Sequence, residues 1–140
     1  SNPCESNYYR AEAVELMTAV RSRFADDDLQ VLAPTHPQLT SVGLGFSLVN
    51  DVTLTHIAEC CHDLTALDLH NCTSLTDMGI LALATHCKEL QSLDLHIYKE
   101  WRVDREFSDD GWFSDDTLGT LAEHCHQLVC LNLGYAHIIC

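Results

Sequence analysis

The sequence predicts an α/β solenoid of about four helix–strand repeats, with the strands forming a parallel sheet on a concave face and a capping helix before them. The first of three supporting observations is the stretch Asn50 to Thr76, NDVTLTHIAECCHDLTALDLHNCTSLT, whose hydrophobic period changes partway along. Leu54, Ile57, Ala58 and Cys61 fall at i, i+3, i+4 and i+7, the apolar stripe of a short helix, whereas Leu67 and Leu69 alternate with Asp68 and His70 as a half-buried strand does. The second is repetition: the same frame starts at Asp26, Asp51, Asp77 and Asp115, which lie 25, 26 and 38 residues apart. The third is agreement by column, and a period of this size with several columns in agreement marks a stacked-repeat architecture.

The helical columns read Leu29, Leu32, Ala33, His36; Ile80, Leu83, Ala84, Cys87; and Leu118, Leu121, Ala122, Cys125. The strand columns read Leu39, Val42, Leu44; Leu90, Leu93, Leu95; and Leu128, Leu131, Leu133. Residues 1–25 are assigned to a polar lead-in and a capping helix. Within Tyr8 to Phe24, Ala13, Leu16, Met17 and Val20 carry the helical stripe and no strand follows, as suits an end unit that covers an open core. Residues 26–140 hold the repeats. In the first of them Pro34 and Pro37 shorten the helix, and His36, replacing the column cysteine, is expected to be a packing residue rather than a ligand. Thr76 with Asp77, and Ser114 with Asp115, supply side-chain oxygens where helices three and four begin, which is N-cap chemistry. Asn71 and Cys72 stand where the chain must turn after a strand and satisfy buried backbone groups.

The third unit carries an insertion at about 97–113. Tyr98 to Phe113 holds five of the chain's ten aromatics together with Lys99, Arg102 and Arg105. Tyr, Trp and Arg concentrate binding energy at interfaces, so a recognition loop is one expectation; Trp101, Phe107 and Trp112 folded back as a local core is the other. After Leu133 the segment GYAHIIC brings no polar capping element, which leaves open a longer solenoid or an edge covered by another subunit.

A net charge of −14 opposes phosphate backbones and anionic lipid surfaces, so neither nucleic acid nor a membrane is an expected partner. Of the eight cysteines, Cys61, Cys87 and Cys125 share one column on neighbouring helices. Packed helices lie about 8–10 Å apart and a disulfide needs Cα atoms within about 7 Å, so these thiols are expected free and buried. A reducing compartment, cytoplasm or nucleus, follows from that. No signal-peptide pattern or long apolar run is present.

The columns resemble the cysteine-containing class of leucine-rich repeats, most closely in His56 to Asp77, Leu75 to Leu95 and Ser114 to Leu133. Among the class's turn cysteines only Cys72 is present, Ser47, Tyr98 and Ala136 standing at the other units. The resemblance implies a protein-binding module. It also implies ubiquitin-ligase components as partners where an F-box accompanies the repeats, but Tyr8 to Phe24 bears no F-box resemblance.

On such a fold the residues that alternate with the buried leucines face solvent. Those columns are Ser41, Ala66, Ser92, Cys130; Gly43, Asp68, Asp94, Asn132; and Gly45, His70, His96, Gly134. Strands about 4.8 Å apart therefore gather Asp68, His70, Asp94 and His96 into one patch. These are metal-ligand types, and a metal-dependent hydrolytic site is the remote expectation; a polar recognition face is the nearer one, since an open sheet seldom encloses a substrate. Cys60 to His62 and His124 to His126 resemble metal tracts, but Cys61 and Cys125 are committed to the core. No phosphate loop, nucleophile elbow or metalloprotease helix occurs. The expectation is a non-catalytic protein–protein interaction scaffold without a cofactor, or alternatively, as the resemblance implies, the substrate-recognition part of a ubiquitin-ligase receptor of the F-box type, or a structural subunit of a large assembly. Its partner-binding residues would be Asp68, His70, Asp94, His96, Tyr98, Trp101, Arg102 and Trp112.

Overall fold

The computed structural model describes residues 33–97 and 113–133. It is an α/β arrangement in which β1 (Ser41–Gly43), α1 (Asp51–Cys60), β2 (Ala66–Asp68), α2 (Asp77–His86), β3 (Ser92–Asp94), α3 (Asp115–His124) and β4 (Cys130–Asn132) follow one another. The four strands form one parallel sheet in the order β1-β2-β3-β4. Helix α1 packs on α2, and α2 on α3.

The register aligns the columns read from the sequence. Ser41, Ala66, Ser92 and Cys130 are partners across the sheet, as are Val42, Leu67, Leu93 and Leu131, and Gly43, Asp68, Asp94 and Asn132. Val42, Leu67 and Leu93 are fully buried and join Leu54, Ile57, Ile80 and Leu83 in one core. Burying a Leu or Ile completely stabilises by about 1.5–3 kcal/mol, so each unit is held mainly by what it shares with the next.

Helix starts follow the expected capping chemistry. The side chains of Asn50, Thr76 and Ser114 accept from the backbone N–H of Thr53, Met78 and Thr117. The aspartates of the repeating frame have a different task. Asp51 Oδ1 accepts from the backbone N–H of Thr76 at 2.8 Å and of Gly79 at 3.1 Å, while Thr76 Oγ1 donates to Asp51 Oδ2 at 2.5 Å. Asp77 Oδ1 accepts from Ser114 N–H at 2.9 Å. Each carboxylate thus supplies acceptors to the otherwise unpaired N–H groups at the next helix's start.

Helix ends are joined by thiols. Cys61, Cys87 and Cys125 are C-caps. Their Sγ atoms point at carbonyls of the preceding unit: Cys125 at Cys87 O (3.3 Å), Cys87 at Cys61 O (3.8 Å), and Cys61 at His36 O (3.5 Å). A thiol is small enough to be buried and still offers one weak donor to a helix-terminal carbonyl. Cys72 Sγ likewise donates to Leu44 O at 3.0 Å in the turn after β2. Cys60, Cys61, Cys72, Cys87 and Cys125 are free, and Cys130 is disulfide-bonded. Burial pushes the Cys61 and Cys72 thiols up to about 11 and the Cys87 thiol up to about 12, and raises Cys125 as well.

Three expectations are corrected. Ser41, Ala66 and Ser92 are buried rather than facing solvent; with one or two side-chain heavy atoms they lie too low to reach past their surroundings. His36 is exposed, and its column role falls to its backbone carbonyl instead of its ring, which accepts from or donates to Thr35 Oγ1 at 2.8 Å. In the fourth unit Ala122 is exposed and Leu118, Leu128, Leu131 and Leu133 are half-buried, because among the described residues a neighbouring unit covers α3 and β4 on one side only. At the end of the insertion, Phe113 is buried in the core. The capping helix at residues 8–24 lies outside the described residues.

Candidate functional site: a paired aspartate–histidine ladder on the sheet face

Asp68 and Asp94 are register partners on the sheet face opposite the leucine core, two residues before His70 and His96. In each strand one carboxylate oxygen takes two hydrogen bonds from the same histidine. Asp68 Oδ1 accepts from His70 N–H at 3.0 Å and lies 2.5 Å from Nδ1. Asp94 Oδ1 accepts from His96 N–H at 3.1 Å and lies 2.7 Å from Nδ1. A carboxylate can only accept, so Nδ1 of each ring is the donor to its aspartate. Asn132, next along the register, donates from Nδ2 to Asp94 Oδ2 at 3.3 Å.

The rings form a ladder. His70 and His96 stack with centroids 5.5 Å apart and planes 11° from parallel. Phe46 meets His70 edge-on at 4.8 Å and 85°. The side chains of His70 and His96 are each 17% exposed, those of Asp68 and Asp94 13% and 18%, so the patch is a fixed, half-buried surface.

Two backbone features place it. Gly45 occupies the same column as His70, and a Cβ built there would lie 2.1 Å from His70 Cε1, so the absent side chain makes room for the ring. Phe46 and Asn71 occupy the equivalent turn position and both have positive φ, 63° and 55°. Their N–H groups donate to the carbonyls of His70 and His96 at 2.9 Å. Asn tolerates this left-handed conformation, whereas an aromatic side chain is strained in it, and retained strain of this sort gathers at functional sites. Phe46 is nevertheless 55% exposed, so its ring is not held there by burial in the core. Sequence reasoning passed over Phe46 because its column, Phe46, Asn71, Ile97, shows no common residue type; the local signal was an aromatic residue directly after a Gly-x-Gly.

The structure therefore brings Asp68, His70, Asp94 and His96 together, while Tyr98, Trp101, Arg102 and Trp112 lie outside the described residues. Among the described residues no group of three or more His, Cys, Asp or Glu side chains is arranged to hold a metal ion. Also among the described residues, no helix is long and apolar enough to cross a membrane.

No family model matches the chain. Over 51 residues, 36% of the chain, the sequence is 43% identical to a protein named antagonist of mitotic exit network protein 1 from Candida glabrata. The matched stretch spans 10% of that protein's length, so the likeness is one between parts.

Proposed function

We propose that the chain is a stack of cysteine-containing leucine-rich repeats that works as a non-catalytic protein-interaction scaffold, binding a protein partner through the Asp68–His70–Asp94–His96 patch. The reading rests on one observation above the rest: two Asp–His pairs in register, stacked on each other and edged by a strained, exposed aromatic. Rigid planar rings with fixed donors and acceptors lose little side-chain entropy on binding, which suits recognition. The open sheet face favours a macromolecular ligand over a small substrate, which an enclosed pocket would serve better.

The repeat assignment draws support from the sequential parallel strands, the aspartate acceptors joining helix starts and the thiols joining helix ends. Residues 26–140 form the repeat domain in this proposal, and Tyr98, Trp101, Arg102 and Trp112 extend the binding face from the insertion. Five free thiols among the described residues support a cytoplasmic or nuclear setting, with the disulfide at Cys130 as the exception.

Quantitative affinity purification tests the proposal, comparing the wild-type chain with a His70→Ala, His96→Ala double variant in the cells that make the protein. The expected outcome is loss of a defined partner from the variant while its melting curve stays cooperative. An unchanged set of co-purifying proteins with a well-folded variant would remove the patch from the account.

A further inference from the structure

Helix α2 has the composition of a helix buried on all sides. Met78 to Ala84, MGILALA, is a run of seven residues without a polar side chain. Such a helix ordinarily lies inside a protein, with every face covered. Here the stripe formed by Ile80, Leu83, Ala84 and Cys87 is buried, yet Met78 is 72% exposed and Leu81 38%.

The uncovered face adjoins a groove on the outer side of α1 and α2, about 330 Å³ in volume and lined by Asp51, Val52, Thr55, His56, Glu59 and Met78. On α1 the lining residues Val52, Thr55, His56 and Glu59 are themselves an i, i+3, i+4, i+7 stripe, and Val52 is 67% exposed. The helices are equivalent units, so the stripe has counterparts. On α2 it reads Met78, Leu81, Ala82, Thr85; on α3 it reads Asp116, Gly119, Thr120, Glu123. The last is what a solvated helix face looks like. Against that internal standard, the apolar content of the same column on α2, continued by Val52 on α1, is in excess of what solvation needs.

Charge indicates what would cover it. Glu59 is exposed at the groove, and Asp51 lines its N-terminal end. Lys88, the single Lys or Arg among the described residues, lies past the C-terminus of α2, where its Nζ donates to Ala84 O at 2.7 Å. A second copy of a chain of net charge −14 would bring carboxylates against carboxylates. A groove between two helices of ten residues, about 15 Å long, matches two to three turns of a third helix.

We propose that this groove is a docking site for a basic amphipathic helix of another protein. The apolar stripe of that helix would seat against Val52, Met78 and Leu81, with Lys or Arg beside Glu59. The surface is distinct from the sheet face, so a scaffold of this form holds two partners at once.

The test uses the 140-residue chain and two synthetic amphipathic peptides that share one Leu stripe. The polar face carries Lys and Arg in one peptide and Glu in the other, and binding is read by fluorescence anisotropy. The basic peptide is expected to bind and the acidic one not to bind. Val52→Ser with Met78→Ser should weaken the basic peptide by about tenfold or more, as loss of central apolar anchors does. Glu59→Lys, at an exposed position, should weaken it independently, while Asp116→Ser on α3 should leave it unchanged. Failure of the basic peptide to bind would overturn the proposal. So would equal weakening by Asp116→Ser, which would mean diffuse attraction to an acidic surface. A dimer dissociated by the Val52→Ser, Met78→Ser pair would also overturn it, assigning the groove to a second copy.

Discussion

The imidazole of His70 occupies the space that a side chain at Gly45 would fill, with the ring's Cε1 2.1 Å from the position of a Cβ there. Gly45→Ala must therefore displace the ring, and the ring is the end of a movable side chain, so the fold has a way to adjust. The expected result is a cooperative melt close to wild type together with a changed Nδ1 environment for His70 in imidazole nitrogen NMR spectra. Partner binding through the sheet face should fall with it.

Phe46 offers a separation of stability from function. Its φ of 63° is one that Asn71 adopts in the neighbouring unit. Phe46→Asn should relieve strain of about 1 kcal/mol and raise the denaturation midpoint, since the exposed ring contributes little burial. The same variant loses the edge contact to His70 and should bind a sheet-face partner less well. Stability and binding measured on one preparation check both directions.

The aspartate of the repeating frame should behave as a joint between units. Asp51→Ala removes the acceptor for Thr76 N–H, Thr76 Oγ1 and Gly79 N–H, and is expected to cost about 1–2 kcal/mol in urea unfolding. Asp51→Asn keeps one carbonyl oxygen and should cost less. Gly79→Ala sets a Cβ 2.7 Å from Asp51 Oδ1 and should destabilise in the wild-type background more than in the Asp51→Ala background.

The buried thiols predict alkaline lability. Cys61 and Cys72 are raised to about 11 and Cys87 to about 12 from an ordinary 9.0, by desolvation first of all. Between pH 9 and these values the unfolded chain gives up thiol protons that the folded chain retains. The stabilisation is therefore complete below pH 9 and is lost as pH rises towards 11–12, on the order of 1 kcal/mol per thiol by pH 10. Urea unfolding at pH 8 and pH 10 measures it, and Cys87→Ala should show a shallower loss. At neutral pH, alkylation should mark Cys60 well before Cys61, Cys72, Cys87 or Cys125.

The parts of this fold that were legible in the sequence are those in which several units agree. Leu54, Ile57, Ala58 and Cys61 match Ile80, Leu83, Ala84 and Cys87 residue for residue, and both stripes are buried. The alternation around Leu67 and Leu93 placed Asp68, His70, Asp94 and His96 on one face. Periodicity assigns a residue to a face but does not name what it touches, so the reach of Asp51 into the next unit and the thiol-to-carbonyl sequence from Cys125 to His36 emerged only in three dimensions. It also says nothing of depth: Ser41, Ala66 and Ser92 share a face with Asp68 but are too short to stand clear of it. Phe46 and the outer face of α2 lie in columns where the units differ, and there column agreement has no signal to offer.

The central claim, that the sheet face around His70 and His96 reads a protein partner, is tested most directly by site-specific photo-crosslinking. A benzophenone amino acid is placed at Phe46, on the exposed edge of the ladder, and in a second preparation at Asp116 on the polar outer face of α3. The protein is then irradiated in the cells that make it. The account predicts a discrete adduct with one partner from position 46, abolished by His70→Ala with His96→Ala and absent from position 116. No adduct at 46, or the same adducts from both positions, would contradict it.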